Sequence, residues 1–290
     1  MKRLVFSVQF LQARLHYYFR LAFASHRLKP LTTFSYQSGP YEIKIAETKR
    51  ELLAVLGLRY HVFFQEFSSI KPLALIPSLD LDGHDFWCDH LIIRHRETGK
   101  TIACYRLRSS TRNLVSKYYT EGEFVLDRFL ALEGHKLELG RACVHEDYRN
   151  GVVLRLLWRG LCEYAARTDT RYMFGCSSLA RKDMSDWGQL ASAAKSKGSL
   201  LEEGAVYPTA EFCIGQFEEV QGLCRNEAPP AQERRGNSLL DLYLAAGAKI
   251  SSALAYDKEM DCVDIFTVVD VTQLPPLFNR RLATEVTCAR

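Results

Sequence analysis

The segment best suited to chemistry is a polar turn, Asp147-Tyr148-Arg149-Asn150-Gly151, between an apolar stretch ending at Val144 and another opening at Val152. If the second stretch is a helix, its first amides point outward unpaired and its dipole is positive there, so a phosphate is favoured at that end. Gly151 lets the main chain approach such a group closely. Arg149, with Arg155 and Arg159 one helical turn apart, adds a basic rim. The alternative is an ordinary turn before an ordinary, solvated helix. A second group comprises the cations Arg59 and Arg106 and the carboxylates Asp82, Asp85 and Asp89. It reads either as ligand-binding or as an internal Arg–Asp network that fixes a loop, with Asp80 expected in solvent. His90, within an apolar run, reads first as a core histidine.

Elements that would position these residues follow from periodicity. Residues 41–46 alternate as a strand, and 47–67 form an amphipathic helix with Leu52, Val55, Leu56, Leu58 and Val62 on one side. Residues 90–96 and 101–108 make a hairpin around Glu97-Thr98-Gly99-Lys100. Strands are expected at 137–144, 172–177 and 264–271, and helices at 152–167, 183–197 and 239–248. Residues 31–40 and 218–236 read as linker and exposed loop, being rich in Pro, Ser, Thr and Gly or in charge. The sum is an α/β chain, a mixed sheet with helices on both sides, in one domain over 41–290.

Bulk properties narrow the function classes. The chain has 290 residues, 47% hydrophobic and 25% charged, as ordinary globular proteins do. A net charge of +4 is too small to argue for nucleic acid. Nine cysteines, an odd number with no CxxC pair, suit reduced thiols better than a disulfide framework or a zinc site, and no metal is expected. Residues 1–30 carry Lys2, Arg3, Arg14, Arg20, Arg27 and Lys29 and no acidic residue, with Leu4, Val8, Leu11, Leu15 and Phe19 on one helical stripe. Such a leader suits a helix lying on an anionic membrane surface, which would make the protein peripheral on the inner face of the cytoplasmic membrane. Packing of the leader on its own domain or a partner subunit is the alternative.

Several short motifs occur in a telling order. Leu58-Arg59-Tyr60-His61-Val62-Phe63 precedes Asp80-Leu81-Asp82-Gly83-His84-Asp85, then Cys88-Asp89-His90-Leu91, Tyr105-Arg106-Leu107-Arg108 and Glu138-Leu139-Gly140-Arg141. With the Tyr148-Arg149-Asn150-Gly151 turn, this order resembles the bacterial ornithine-lipid-forming N-acyltransferases, often labelled hemolysin-like. It is more distantly similar to acyl-homoserine-lactone synthases. The resemblance covers roughly 41–271 and implies an acetyltransferase-like (GNAT) sheet, mostly antiparallel, whose central strand pair splays. Of the usual Arg/Gln-x-x-Gly-x-Gly/Ala turn only Arg149 and Gly151 survive, at altered spacing.

The implied reaction moves a (3-hydroxy) fatty acyl group from acyl carrier protein, or coenzyme A, to the α-amine of ornithine or a similar amino acid. The attacking ammonium must first lose a proton, and the oxyanion needs donors. Glu138 is then the candidate base or water-ordering group. Arg141 would hold a phosphate, carbonyl or carboxylate, with a bulge at Gly140 bringing both to one side. Ala142, Cys143, Val144, Arg149, Asn150, Gly151 and Val152 would bind the phosphopantetheine arm. Arg59 and Arg106 would meet the acceptor carboxylate, Asp82, Asp85 and Asp89 its side-chain ammonium, and His90 would relay a proton. Rival readings are a synthase of a diffusible N-acyl amino acid or lactone signal, and a non-catalytic acyl-binding membrane protein.

Overall fold

A computed structural model describes residues 17, 21, 28–66, 78–112, 117–180, 187–213, 239–258, 262–276 and 278. In chain order the strands are β1 (Ser35–Ser38), β2 (Tyr41–Ile45), β3 (Asp89–His95), β4 (Thr101–Ser109), β5 (Phe124–Val125), β6 (His135–Val144), β7 (Thr170–Ala180), β8 (Tyr207–Pro208), β9 (Lys249–Asp257) and β10 (Cys262–Asp270). The α-helices are α1 (Lys49–Tyr60), the single turn α2 (Asp127–Leu130), α3 (Val152–Arg167), α4 (Trp187–Ser196) and α5 (Leu239–Ala245). The chain divides into two compact units, 1–108 with 141–161 and 109–140 with 162–290. β6 starts in the second unit and ends in the first.

In the first unit the hydrogen-bonded strand order is β1-β2-β3-β4-β6, and β1 to β4 pair antiparallel with their neighbours. α1 opens with a capping box: the Thr48 hydroxyl accepts from the Glu51 amide while the Glu51 carboxylate accepts from the Thr48 amide, satisfying two amides a helix start leaves over. The helix buries Leu52, Val55, Leu56 and Leu58. Val55 and Leu58 pack with Ile92, Cys104 and Cys143 in one core cluster. Past Tyr60 the chain widens into a π-helix, His61–Glu66, where periodicity alone suggested an unbroken α-helix.

In the second unit the order is β6-β7-β10-β9. β6 and β7 run parallel, with registered pairs from His135–Thr170 to Glu138–Phe174, whereas β7–β10 and β10–β9 are antiparallel. Phe129, Phe174 and Phe266 fill the core, with ring centres 4.9 and 5.2 Å from Phe129. The architecture is thus the mixed, mostly antiparallel α/β sheet with flanking helices that the sequence led us to expect.

Some local expectations fail for identifiable reasons. Residues 31–40, read as linker, contain β1; Ser35-Tyr36-Gln37-Ser38 shows no apolar alternation and is a strand through its pairing with β2. β5, α2, β8 and β9 do not follow from the sequence patterns, the first three being too short to show a period. The 218–236 loop and most of the 1–30 leader lie outside the described residues. Of that leader, Leu21 is buried with Leu52, Leu56 and Leu81. Among the described residues no helix is long and apolar enough to cross a membrane.

Candidate active site

The acidic loop of the first unit is consumed by arginines. Arg59, fully buried, donates from Nε to Asp80 at 2.7 Å and from Nη1 and Nη2 to Asp85 at 2.6 and 3.2 Å. Arg106 donates from Nη1 to both oxygens of Asp82 at 2.8 and 2.7 Å. Arg141 completes the set, with Nε 3.4 Å from Asp80 and Nη2 3.5 Å from Asp82. Three guanidiniums therefore face three carboxylates. Burial opposes ionisation of Asp80 and Asp82, yet the facing guanidiniums outweigh it and hold both carboxyls below the usual range. Asp80, expected in solvent, is buried because the Arg59 guanidinium needs a counter-charge where water is excluded.

Not all these groups face inward alike. The side chains of Arg141 and Asp82 are 24% and 25% exposed, while Arg59 and Asp85 are closed off. Asp89 is buried and accepts from the Leu31 amide at 2.8 Å. His90 is buried in β3, and burial pushes its pKa down to about 4, so it is neutral at pH 7.

Arg141 also has φ of 49°, a left-handed conformation costing a non-glycine residue about 1–3 kcal/mol. The departure from regular strand geometry expected at Gly140 is therefore at Arg141, whose guanidinium is gripped by the two aspartates. Cys143, two residues on, points into the core, 3.4 Å from the Cys104 sulfur, and burial pushes its thiol up. The turn that follows is built as the sequence suggests. Gly151 has φ of 75°, the Asn150 side chain accepts from the Val152 amide at 3.1 Å, and α3 begins at Val152. Arg149 donates from Nε to the Val144 carbonyl at 2.9 Å. Arg155 is exposed, whereas Arg159 stacks on Tyr36 at 4.2 Å.

In the second unit the parallel strands part. Registered pairing ends at Glu138–Phe174, while β7 continues to Ala180. A narrow cleft sits there, lined by Leu139, Met173, Gly175, Ser177, Tyr243 and Thr267. Glu138 is buried, and its two oxygens accept from the Tyr119 amide at 3.1 Å and the Thr120 amide at 2.7 Å. These bonds occupy lone pairs a base would use and tie the 119–120 segment to β6.

Sequence reasoning missed a further set of acids. Glu123 and Asp264 are buried, and ligating atoms of Asp257, Cys262 and Asp264 lie within 4.8 Å of one another. Burial and the charge on Asp264 push the Glu123 carboxyl up to about 8. Glu123 stands in a stretch with no readable period. None of the seven described cysteines is in a disulfide.

Residues 58–159 match the profile of a family described as acetyltransferase (GNAT) domain. An L-ornithine N(alpha)-acyltransferase of Rhizobium meliloti is 32% identical over 244 residues, covering 80% of this chain and 81% of that protein. One from Rhodobacter capsulatus is 28% identical over 237 residues, 79% of this chain and 90% of that protein. Among solved structures, the CoA-dependent acyl-homoserine lactone synthase MesI is 13% identical with a TM-score of 0.44, covering 81% of this chain and 88% of its own. FeeM, an N-acyl amino acid synthase from uncultured soil microbes, is 10% identical with a TM-score of 0.42, covering 86% and 99%. Likeness of that degree bears on neither donor nor acceptor. Identity of 32% along four fifths of a relative is decisive: the chain belongs to the family of the L-ornithine N(alpha)-acyltransferases.

Proposed function

We propose that this chain transfers a fatty acyl group, 3-hydroxylated in the preferred donor, from the phosphopantetheine thioester of acyl carrier protein to the α-amine of L-ornithine. The observation that carries the reading is the match along most of an enzyme named for that acceptor. The parting of β6 from β7 beside Gly175 adds support, since an acyl-transfer site needs exposed main-chain amides to receive an oxyanion.

Residue roles follow from what each side chain is free to do. The 142–144 strand end and the 149–152 turn would hold the phosphopantetheine arm, through main-chain groups and the start of α3. Exposed Arg155 suits an acidic carrier protein. Arg141, strained and partly exposed, would present its guanidinium to an anionic group of donor or acceptor. Arg59, Asp85 and Arg106 would brace Arg141 and Asp82. In this reading Glu138 is a positioning residue that sets the 119–120 segment, and the α-ammonium loses its proton through water. The basic leader would rest on an anionic membrane, where the product belongs.

Mass spectrometry of lipids from cells producing the chain, beside a Glu138→Gln control, tests the reaction. An amide-linked acyl-ornithine is expected, reduced in the control. Soluble protein that yields no acyl amino acid, in cells or with purified acyl carrier protein, would overturn it.

A further inference from the structure

The acceptor implied by this reading carries a second ammonium on its side chain, and something must distinguish it from a neutral amino acid. Asp82, Asp85 and Asp89, expected to do so, are spent on arginines and on a main-chain amide. The second unit holds carboxylates that are not. Asp264 on β10 accepts from the Ser178 hydroxyl of β7 at 2.5 Å, and the Cys262 thiol lies 3.8 Å from its other oxygen. Glu123, 3% exposed, faces Asp264 and Asp257, and its Oε2 is buried without a hydrogen-bond partner among the described residues. Among the described residues of this unit, Arg167 pairs with Glu163 and Arg171 with Asp270.

We propose that Glu123 and Asp264, with Asp257 beside them, form the pocket for the side-chain ammonium of a basic amino-acid acceptor. The inference rests on the reading that the chain acylates such an amino acid. Two neighbouring buried carboxylates do not both ionise without a cation, so the unliganded pair keeps a proton. An ammonium takes that proton's place and offers a donor to Glu123 Oε2, which has none among the described residues. A metal fits less well. The group has no histidine, and burial among acids pushes the Cys262 thiol far from the thiolate that a metal needs. The titratable groups facing the pair are Asp257 from β9, Cys262 from β10, Cys176 from β7 and Tyr119 ahead of β5.

Calorimetric titration with L-ornithine and with L-norvaline, which keeps the α groups and the carbon chain but lacks the terminal amine, tests the pocket. The native chain is expected to bind ornithine at least about ten-fold tighter, with proton release on ornithine alone near pH 7. Glu123→Gln and Asp264→Asn should each weaken ornithine by roughly ten- to a hundred-fold and leave norvaline unchanged. Should both variants misfold, selectivity and proton release in the native chain still decide. Equal binding of the two amino acids overturns the pocket, as does a stoichiometric metal whose chelation abolishes selectivity. Selective binding without any acyl product would instead sink the proposed reaction and leave the pocket standing.

Discussion

The carbonyl oxygen of Leu139 lies where a side chain at position 175 would begin: a Cβ on Gly175 would stand 2.3 Å from it. This contact falls one residue beyond the last parallel pair, Glu138–Phe174, so the main chains touch just where the strands part. The obstructing atom is backbone and cannot swing aside. Gly175→Ala should therefore cost about 1–3 kcal/mol of stability and lower acyl transfer. Gly57→Ala in α1, where a Cβ meets nothing within 4 Å, should gain about 0.5–1 kcal/mol. Urea denaturation of the two variants checks both signs.

Arg59 is the keystone of the first unit's charges. Arg59→Met leaves Asp80 and Asp85 buried and short of a partner, a loss of about 3–5 kcal/mol. Arg59→Lys should recover only part, because one ammonium cannot span the two carboxylates that the guanidinium fork reaches. Arg167→Ala removes a pair with Glu163 whose side chains are 46% and 35% exposed, and should shift stability by no more than about 0.5 kcal/mol. Denaturation midpoints at pH 7 would order the three.

Folding raises the Glu123 carboxyl from 4.5 to about 8, and Asp264 is shifted in the same direction by its burial. Between these pH values the folded chain keeps a proton that the unfolded chain has released. Stability should thus fall as pH rises from about 4.5 to about 8. Glu123→Gln should flatten the slope, and ornithine should raise the melting temperature more at pH 8 than at pH 5. Thermal melts across that range, with and without ornithine, measure both effects.

The leader is best tested without deleting it, since Leu21 is buried against Leu52, Leu56 and Leu81. Replacing Lys2, Arg3, Arg14 and Arg20 with Gln keeps Leu21 in the chain. At about 1 kcal/mol per basic residue near an anionic surface, binding to phosphatidylglycerol vesicles should drop at least ten-fold. Turnover of soluble substrates should persist. A vesicle flotation assay beside a kinetic assay distinguishes this outcome from a leader that only completes the fold.

Features that depend on a few neighbouring residues were open to reading from the chain alone. α3 starts at Val152 because Asn150 and Gly151 end the turn with a side-chain cap and a left-handed glycine. The hairpin of β3 and β4 turns at Gly99, whose φ of 68° suits its position. The ordered motifs led to the family for a related reason, since each is a short run whose spacing survives without knowledge of the fold.

Which charges cancel was another matter. Arg59 and Asp85 are 26 positions apart, and Ser178 and Asp264 are 86 apart. Whether such groups meet is set by strand order and loop path, and the energy of a buried charge turns on distances of a few ångströms. So the sequence determined most of the long elements, the turn before α3 and the family. Only the tertiary structure decided that the acidic loop is neutralised from within and that Glu138 holds a backbone segment. It also decided that Glu123, in a stretch with no pattern to read, ends up buried among acids.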